Sequence, residues 1–394
     1  MIEIKENIFW VGIKDWEIKK FHGEEYSTHR GSTYNSYLIK DEKNVLVDTV
    51  WTPFKEEYVA RLDADFGLEN IDAVVVNHSE SDHSGSLTHL MAQIPDVEIY
   101  CTKNGHDMIH CHHHKDWKFN EVKTGDTLKT GKYELVFVEA PMLHWPDSMF
   151  TYVKGADLLL SNDAFGQHYA SSAMYNDEVD QCELFQEAIK YYANILTPFS
   201  SLVKKKIEEF KAMNVPVDMI APSHGVIWRK DALDIVGKYY EWADAYQEDF
   251  IVIAYDTMWN GTKSMAEAIA SGLKESGVPC KLFNIAKSDM NDVITEIFRS
   301  KGVIVGSPTI NRRVLSAVGA LIETIKGLRF KNKAGAAFGG YGWSGESVGI
   351  IEEGLKSAGI EVVVPGIKFR YNPTGDELNE CKLFGKQFAK NLKR

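Results

Sequence analysis

The chain lacks the features that several large classes of protein require. Its 394 residues contain no run of eighteen apolar residues, and the N-terminus mixes acidic and basic residues and lacks the apolar core of a signal peptide, so the sequence predicts neither a membrane span nor a signal peptide. The 44 lysine and arginine residues are outnumbered by 56 aspartate and glutamate residues, and the net charge of −12 argues against nucleic acid or an anionic membrane as the main partner. We therefore expect a cytoplasmic protein.

Cysteine is also scarce. The five cysteines are dispersed and include no Cys-x-x-Cys pair, so the sequence predicts reduced thiols. Iron–sulfur clusters and rubredoxin-type sites need clustered thiolates, which this sequence does not contain. Any redox centre of this chain therefore has to use other ligands.

The length predicts two domains, and the two halves of the chain differ in pattern. From residue 251 onward, short apolar runs alternate with amphipathic helical segments, and the last of these runs is EVVVP at residues 361–365. This alternation is typical of an open, doubly wound parallel sheet. The preceding half is rich in short strands interrupted by helices, which predicts a mixed α+β sandwich. We place the two domains at residues 1–248 and 249–394.

The most informative segment is VVVNHSESDHSGS at residues 74–86. An apolar strand ends at Asn77, and the polar loop after it carries a compact group of metal-capable side chains, namely His78, Glu80, Asp82 and His83. Alternate residues of an extended segment point the same way, so these side chains can converge on a pair of cations. The alternative is a polar active-site loop without metal, or a capping loop before a helix at Leu87.

Three more metal-capable side chains follow apolar runs elsewhere in the first half, at His144, Asp163 and His224. Together with the loop they make a set of imidazoles and carboxylates without thiolate. This set suits a non-haem di-iron site, although zinc tolerates the same ligands. A second histidine-rich stretch, HDMIHCHHHKD at residues 106–116, is predicted to be an exposed helix end or loop rather than a metal site, because consecutive side chains diverge in direction.

The second domain contains a pattern typical of a flavin site. Its first strand runs into a loop before a helix, where backbone N–H groups can bind a phosphate; a plain turn capped by Thr262 is the alternative. In a flavodoxin-like sheet, the loops after the third and fourth strands gather around the same FMN. The predicted FMN-binding residues are Thr257, Met258, Trp259, Asn260, Gly261, Thr262, Ser307, Pro308, Thr309, Asn311, Gly340, Tyr341, Gly342, Trp343 and Ser344.

Three aromatic residues of this set, Trp259, Tyr341 and Trp343, are candidates to cover the flat isoalloxazine ring. Residues 340–345 also match G-x-G-x-x-G, the fingerprint of dinucleotide-binding folds. That fingerprint belongs to the first strand of such a fold, whereas here it follows the fourth. We therefore interpret it as part of the flavin-ring loop.

The motif H-x-E-x-D-H at residues 78–83, followed by a distant His, Asp and His, resembles the metallo-β-lactamase superfamily. Glu80 stands where its hydrolases usually have a second histidine. Joined to a flavodoxin-like half, the motif resembles the flavodiiron proteins (A-type flavoproteins, rubredoxin:oxygen oxidoreductases) over essentially the whole chain. The resemblance implies a metallo-β-lactamase-like αββα sandwich followed by a flavodoxin-like doubly wound sheet. The end at Arg394, without a rubredoxin or flavin-reductase extension, implies the minimal two-domain class.

The resemblance also implies roles for individual residues. One iron would be held by His78, Glu80 and His144, and the other by Asp82, His83 and His224, with Asp163 as the bridge. In some members of the family the residue that matches His83 swings away from the metal. His22, together with Tyr191 or Tyr192, matches the pair that lines the substrate pocket of the family.

The expected function is the reduction of O2 to water, of NO to N2O, or of both, at two iron ions per chain fed by one FMN. The electrons would come from rubredoxin or from an F420-type deazaflavin, and the implied assembly is a head-to-tail homodimer or a dimer of such dimers. The alternatives are a dinuclear zinc hydrolase with an appended flavodoxin domain, and a non-catalytic redox carrier or gas sensor. The sequence decides neither between O2 and NO nor between the electron donors.

Overall fold

Short strands, many of them fully buried, build the first part of the structure, a computed structural model that describes residues 1–392. These strands are β1 (Ile2–Lys5), β2 (Ile8–Trp10), β3 (Ile13–Asp15), β4 (Lys20–Phe21), β5 (Tyr26–Ser27), β6 (Ser32–Tyr34), β7 (Tyr37–Ile39), β8 (Val45–Val47), β9 (Ala73–Val75), β10 (Glu98–Thr102), β11 (Phe119–Val122), β12 (Thr127–Lys129), β13 (Glu134–Glu139), β14 (Met149–Lys154), β15 (Leu158–Leu160) and β16 (Met219–Ala221). The helices among and after them are α1 (Lys55–Phe66), α2 (Ser81–Ser84), α3 (Leu87–Met91), α4 (Lys103–His113), α5 (Gln181–Tyr191), α6 (Ser200–Ala212) and α7 (Leu233–Ala243).

Two sheets of this part share one core. The seven-stranded sheet has the order β1-β2-β7-β8-β9-β10-β11, and the five-stranded sheet has the order β12-β13-β14-β15-β16. Apolar side chains from both, such as Val47 and Val75 from the first and Phe137 and Leu160 from the second, belong to the same buried cluster. Burial of these facing surfaces is the main stabilising contribution to such a sandwich. The predicted α+β sandwich is therefore confirmed.

The second part is a parallel sheet with alternating helices. Its strands are β17 (Glu248–Tyr255), β18 (Cys280–Asn284), β19 (Ser300–Gly306), β20 (Ala334–Tyr341), β21 (Glu361–Val362) and β22 (Ile367–Arg370), and its helices are α8 (Gly261–Glu275), α9 (Met290–Arg299), α10 (Ser316–Leu328), α11 (Ser347–Ser357) and α12 (Gly375–Leu392). The strand order is β18-β17-β19-β20-β21, β22 also pairs with β20, and every pairing is parallel. This is the predicted doubly wound, flavodoxin-like order.

The final strand differs from the sequence prediction of a single strand at EVVVP. β21 ends at Val362, and β22 begins only at Ile367. Pro365 lies between them and has no N–H to give to a ladder. The next N–H, from Gly366, donates to Glu352 Oε1 at 2.6 Å instead of to β20. The edge of the sheet is therefore made of two short strands.

The compact units of the structure divide the chain differently from the expected domains 1–248 and 249–394. Residues 192–198 belong with the second unit, and the main crossing into that unit falls after Tyr240. Side-chain contacts explain the first difference: the ring of Tyr192 packs 5.7 Å from that of Phe298, and Asn194 Nδ2 donates to Thr295 Oγ1 at 3.1 Å. The helical pattern of the sequence does not reveal that residues 192–198 belong to the second unit.

Within residues 1–392, no helix combines the length and apolar character that a membrane crossing needs.

Candidate active site

The histidine and carboxylate loop follows β9 and adopts two conformations in turn. His78 and Glu80 lie in the irregular stretch before α2, whereas Asp82 and His83 lie within that helix. The extended segment predicted for all four residues is therefore wrong for the last two. Because the chain changes from loop to helix at Ser81, the two pairs of side chains point in different directions. The loop therefore contributes to two clusters of candidate ligands rather than to one.

The first cluster consists of His78, Glu80 and His144. Glu80 Oε2 lies 3.2 Å from His78 Nε2 and 3.5 Å from His144 Nε2. Asp163 Oδ2 faces the same two nitrogens, at 3.8 Å from His78 and 3.4 Å from His144. Four side chains from three separate segments of the chain thus converge on one point.

The second cluster consists of Asp82, His83 and His224. Asp82 Oδ2 lies 3.2 Å from His83 Nε2 and 3.0 Å from His224 Nε2. The other oxygen of Asp163, Oδ1, lies 3.2 Å from His83 Nε2 and 3.4 Å from His224 Nε2. Asp163 therefore turns one oxygen to each cluster, which is the arrangement that a bridging carboxylate requires.

Outer partners hold two of the imidazoles in position. His78 Nδ1 donates to both carboxylate oxygens of Asp147 at 3.1 Å, and the N–H of Ser79 donates to Asp147 Oδ2 at 2.6 Å. His224 Nδ1 donates to the carbonyl oxygen of Thr33 at 2.6 Å. Such partners fix which nitrogen faces a metal and how the ring is turned. Asp147 is not among the predicted site residues, although it lies three residues after His144 in the polar turn HWPDS.

The chemistry of the seven side chains fits a pair of cations. Both oxygens of Asp163, Oδ1 of Asp82 and Nε2 of His83 are buried and find no hydrogen-bond partner among the described residues. Burying a carboxylate without a donor is costly, and a shared cation removes that cost. Three carboxylates and four neutral imidazoles leave two divalent cations with most of their charge balanced. Nitrogen and oxygen donors without thiolate match iron.

The electrostatics of the cluster residues agree with a site built for positive charge. Burial by itself lowers the pKa of His78, but its hydrogen bonds with Asp147 and Glu80 outweigh burial and raise that pKa to about 10. Burial also opposes the charged form of Asp163, yet the nearby imidazoles of His83, His144 and His224 hold the pKa of this carboxyl well below its ordinary value. Cations bound at the clusters would take the place of protons on these imidazoles, because a metal ligand must be deprotonated at the nitrogen that binds.

Of the predicted pocket residues, the structure brings two to the clusters and places the third elsewhere. His22 Nε2 lies 3.3 Å from Glu80 Oε1. The ring of Tyr191 lies 6.4 Å from that of His224. Tyr192 instead packs against Phe298 in the second unit, so its assignment to the pocket is corrected. The reason is that α5 ends at Tyr191, and the π-helical turn that follows directs the Tyr192 side chain away from the clusters.

The histidine-rich stretch forms most of α4, and the predicted exposed helix end is confirmed for most of it. Ile109 is buried, and His113 is half-buried. Its Nε2 and Nδ1 lie 3.0 Å from Ser84 Oγ and 3.1 Å from Thr88 Oγ1, which belong to α2 and α3. This residue therefore supports the helical turn that carries Asp82 and His83. The sequence analysis did not foresee such a supporting role.

The predicted FMN residues lie at one edge of the second sheet. Residues 257–260 form the loop between β17 and α8, while Gly261 and Thr262 begin α8. Ser307, Pro308, Thr309 and Asn311 follow β19, and Gly340 to Ser344 lie at the end of β20 and just beyond it. The loops are joined by a hydrogen bond from the Thr309 N–H to the Gly340 carbonyl oxygen at 2.9 Å. Parallel neighbouring strands thus bring all fifteen predicted residues to the same edge.

Two observations fit a flavin at this edge. Thr257 Oγ1 is buried without a hydrogen-bond partner in the described part of the chain, next to the N-terminus of the fifteen-residue helix α8. Trp259 and Trp343 are 85% and 86% exposed, although large aromatic side chains usually find cover. A phosphate would satisfy the hydroxyl and the N–H groups of the helix, and an aromatic ring system would cover the tryptophans.

Comparison with known proteins identifies the family. The family model "ODP family beta lactamase" matches residues 33–225, and the flavodoxin model matches residues 253–385. The anaerobic nitric oxide reductase flavorubredoxin of Escherichia coli K12 is 53% identical over 393 residues, covering 99% of this chain and 82% of that protein. The structure of rubredoxin oxygen:oxidoreductase from Desulfovibrio gigas has a TM-score of 0.97 and 36% identity, covering 100% of this chain and 98% of that one. The chain belongs to the flavodiiron proteins.

A second solved relative agrees with this assignment. The flavodiiron protein from Giardia intestinalis has a TM-score of 0.94 and 35% identity, over 99% of this chain and 96% of that one. The flavodiiron protein described here is accordingly an oxidoreductase with a metallo-β-lactamase-like domain followed by a flavodoxin domain. The alternative of a zinc hydrolase with an appended flavodoxin domain is not favoured.

Proposed function

We propose that this flavodiiron protein reduces O2 to water, NO to N2O, or both, at two iron ions per chain, with electrons from one FMN. The observation that carries the proposal is the orientation of Asp163, whose two oxygens face two separate clusters of nitrogen and oxygen ligands. A site of this kind can hold two cations at once. The names of the relatives, a nitric oxide reductase and an oxygen oxidoreductase, support the choice of substrates.

The proposed ligands divide as the two clusters do. His78, Glu80 and His144 would hold one iron, Asp82, His83 and His224 the other, and Asp163 would bridge them. When bound, the irons supply two electrons and positions for a diatomic substrate, and the flavin supplies two electrons more. Four electrons and four protons convert O2 to two waters, whereas two electrons and two protons convert two NO to N2O and one water.

Buried aromatic side chains lie beside the second cluster. The ring of Phe21 packs 5.5 Å from that of His224, and the ring of Tyr34 packs 6.1 Å from it. All three side chains are buried. Walls of this kind admit a small, weakly polar molecule more readily than a charged one. We propose that His22 and Tyr191 line the pocket, His22 next to Glu80 and Tyr191 next to His224.

The electron donor and the assembly are the finer parts of the proposal. Rubredoxin or an F420-type deazaflavin would reduce the FMN, and the name of the Desulfovibrio gigas relative, rubredoxin oxygen:oxidoreductase, supports rubredoxin as the donor. The family resemblance is the support for a head-to-tail homodimer, or a dimer of such dimers, in which the FMN of one chain serves the irons of the other. Such a dimer is isologous, with two equivalent cofactor pairs.

Anaerobic stopped-flow spectroscopy tests the proposed function. The protein is expressed in iron-replete medium, analysed for metal and flavin, reduced without oxygen, and mixed separately with O2 and with NO. We expect two irons and one FMN per chain, rapid reoxidation by at least one of the gases, and water or N2O as the product. Two tightly held zinc ions, with no reductase activity after reconstitution with iron, would refute the proposal.

A further inference from the structure

His168 is a buried histidine that has a partner for only one of its two ring nitrogens. The side chain is 1% exposed, and Nδ1 lies 2.8 Å from Ser32 Oγ. Nε2 has no hydrogen-bond partner within residues 1–392. A buried polar atom without a partner is unfavourable and uncommon in native proteins, so this nitrogen points to a ligand or water that completes it.

Aromatic rings surround His168 on the side of the second cluster. Ring centroids of Phe21, Tyr26, His224 and Tyr191 lie 4.3, 4.9, 5.0 and 5.2 Å from that of His168. These include a proposed ligand, His224, and a proposed pocket residue, Tyr191. The surroundings therefore exclude bulk water but belong to the pocket that a diatomic substrate would enter.

Strand β6 sets the direction of the free nitrogen. Ser32 contacts Nδ1 of His168, and the next residue, Thr33, accepts from Nδ1 of His224. The two nitrogens of an imidazole flank Cε1 and their bonding directions diverge, so both rings turn Nε2 away from β6. For His224 this nitrogen faces Asp82 and Asp163. The ring of His168 lies 5.0 Å from that of His224, so its Nε2 is free for a ligand beside the second cluster.

The surroundings of the ring also favour one tautomer. Ser32 Oγ lies 2.8 Å from His168 Nδ1 but 3.4 Å from the carbonyl oxygen of Thr33, so its hydroxyl proton forms the better bond with the imidazole. A hydroxyl that donates to Nδ1 leaves the ring proton on Nε2.

We propose that His168 contacts the substrate: its Nε2–H donates a hydrogen bond to an oxygen atom of the diatomic molecule bound at the second cluster. The inference rests on the proposed function and adds a residue to it. A fixed N–H donor stabilises the negative charge that develops on oxygen as electrons arrive, and it does so without reorganisation. Ser32 acts as a positioning residue, because it holds the tautomer.

The infrared spectrum of NO added to the reduced holoprotein tests the proposal. His168→Phe keeps a flat ring of similar size but removes the N–H, and His110→Phe, on the exposed face of α4, is the matched control. We expect the N–O stretching band of wild type to shift in D2O and to move to higher frequency in His168→Phe, while the control matches wild type. We also expect kcat and kcat/KM of His168→Phe to fall together by roughly 100-fold, at unchanged iron and FMN content.

Ser32→Ala provides a second variant in case His168→Phe does not fold. It keeps the imidazole ring but removes the hydroxyl that fixes its tautomer, so the N–O stretching band should also move to higher frequency, by a smaller amount. An unchanged band in a variant with full iron content would overturn the proposal, and so would a loss of activity that is proportional to a loss of iron. If wild type reduces neither gas, the proposed function fails, yet the band of bound NO still decides whether His168 donates to it.

Discussion

Asp163 is the residue on which the two clusters depend. Its side chain is 1% exposed, and its two oxygens face different clusters. Removing its charge leaves two groups of ligands with one carboxylate fewer between them. Since cations repel each other at short range, the shared carboxylate is needed to hold them together.

We predict that Asp163→Asn loses one or both irons and at least about 100-fold in activity, because an amide keeps the shape of the side chain but not its charge. Metal analysis by mass spectrometry and the rate of NO or O2 consumption measure these effects. Asp96→Asn is the control, since the Asp96 side chain is 92% exposed and pairs only with Lys118 in the described residues. A variant that retains two irons and full activity would show that Asp163 is not the bridge.

Lys333 makes the stability of the second unit depend on pH. Burial lowers the pKa of this lysine to about 7, from an ordinary value of 10.5, although its Nζ donates to the carbonyl oxygens of Phe298, Tyr246 and Ser300. Between these two values the unfolded chain binds the proton more readily than the folded protein. The contribution of this group to stability is therefore complete above the ordinary pKa and is lost as the pH falls toward 7.

We expect the free energy of unfolding of wild type to rise relative to that of Lys333→Met by up to about 1 kcal/mol per pH unit between pH 7.5 and pH 9.5. Urea denaturation of the full chain at several pH values measures the difference. Lys331→Met, at an exposed position two residues away, should remain parallel to wild type. Parallel curves for Lys333→Met and wild type would show that the carbonyl oxygens keep Lys333 charged throughout this range.

At the scale of elements, the proposed flavin site depends on how closely β19 and β20 approach each other at their ends. A Cβ atom at Gly339 would lie 2.1 Å from the carbonyl oxygen of Ser307, which allows no side chain there. The hydroxyl of Ser347 donates to the same oxygen at 2.9 Å and holds the start of α11 against it. One close backbone contact therefore fixes the positions of the two loops that follow β19 and β20.

We predict that Gly339→Ala weakens FMN binding at least about tenfold, because the added methyl group forces the two loops apart. Quenching of flavin fluorescence on titration of the apoprotein measures the affinity. Gly349→Ala, in α11, is the control: its Cβ would meet nothing within 4 Å, so we expect unchanged FMN affinity and a gain in stability of about 0.5–1 kcal/mol. Equal affinity in the two variants would contradict the proposed position of the flavin.

Helix α2 and the C-terminal end of helix α5 show how much of the site the local sequence pattern could predict. Every side chain of both clusters is predictable, because their chemical types and spacing are visible in the chain. The helical part of the loop is not, since a four-residue helix such as Ser81–Ser84 has too few residues to show a period. Tyr191 and Tyr192 are equivalent in the sequence, because the choice between them depends on the turn that follows α5.

At the scale of the whole molecule, the proposed head-to-tail homodimer makes each chain depend on its partner for electrons. Two variants can be combined to test this, one without metal through Asp163→Ala and one without flavin through a disrupted 257–262 loop. Purified mixed dimers would contain one complete pair of cofactors across the two chains.

We expect each variant to be inactive by itself and the mixed dimers to recover part of the activity with NO or O2. Differently tagged chains, co-expressed and purified through both tags, provide the sample, and the remaining cofactor of each variant is measured as the control. Mixed dimers that stay inactive while both chains keep their remaining cofactor would rule out transfer between chains.

The sequence by itself determined the two folds, the side chains of the two clusters and the edge at which the predicted flavin loops lie. These depend on local properties: the spacing of side chains within a loop, and the alternation of apolar runs with helices. Only the tertiary structure decided that Asp147 holds His78, 69 residues away, and that Ser32 holds His168, 136 residues away. Nothing in the local pattern distinguishes these residues from other polar side chains, because their roles arise when distant strands bring them into hydrogen-bond range. The division of one loop between two clusters has the same origin, since Asp163 and His224 come from neighbouring strands of the other sheet.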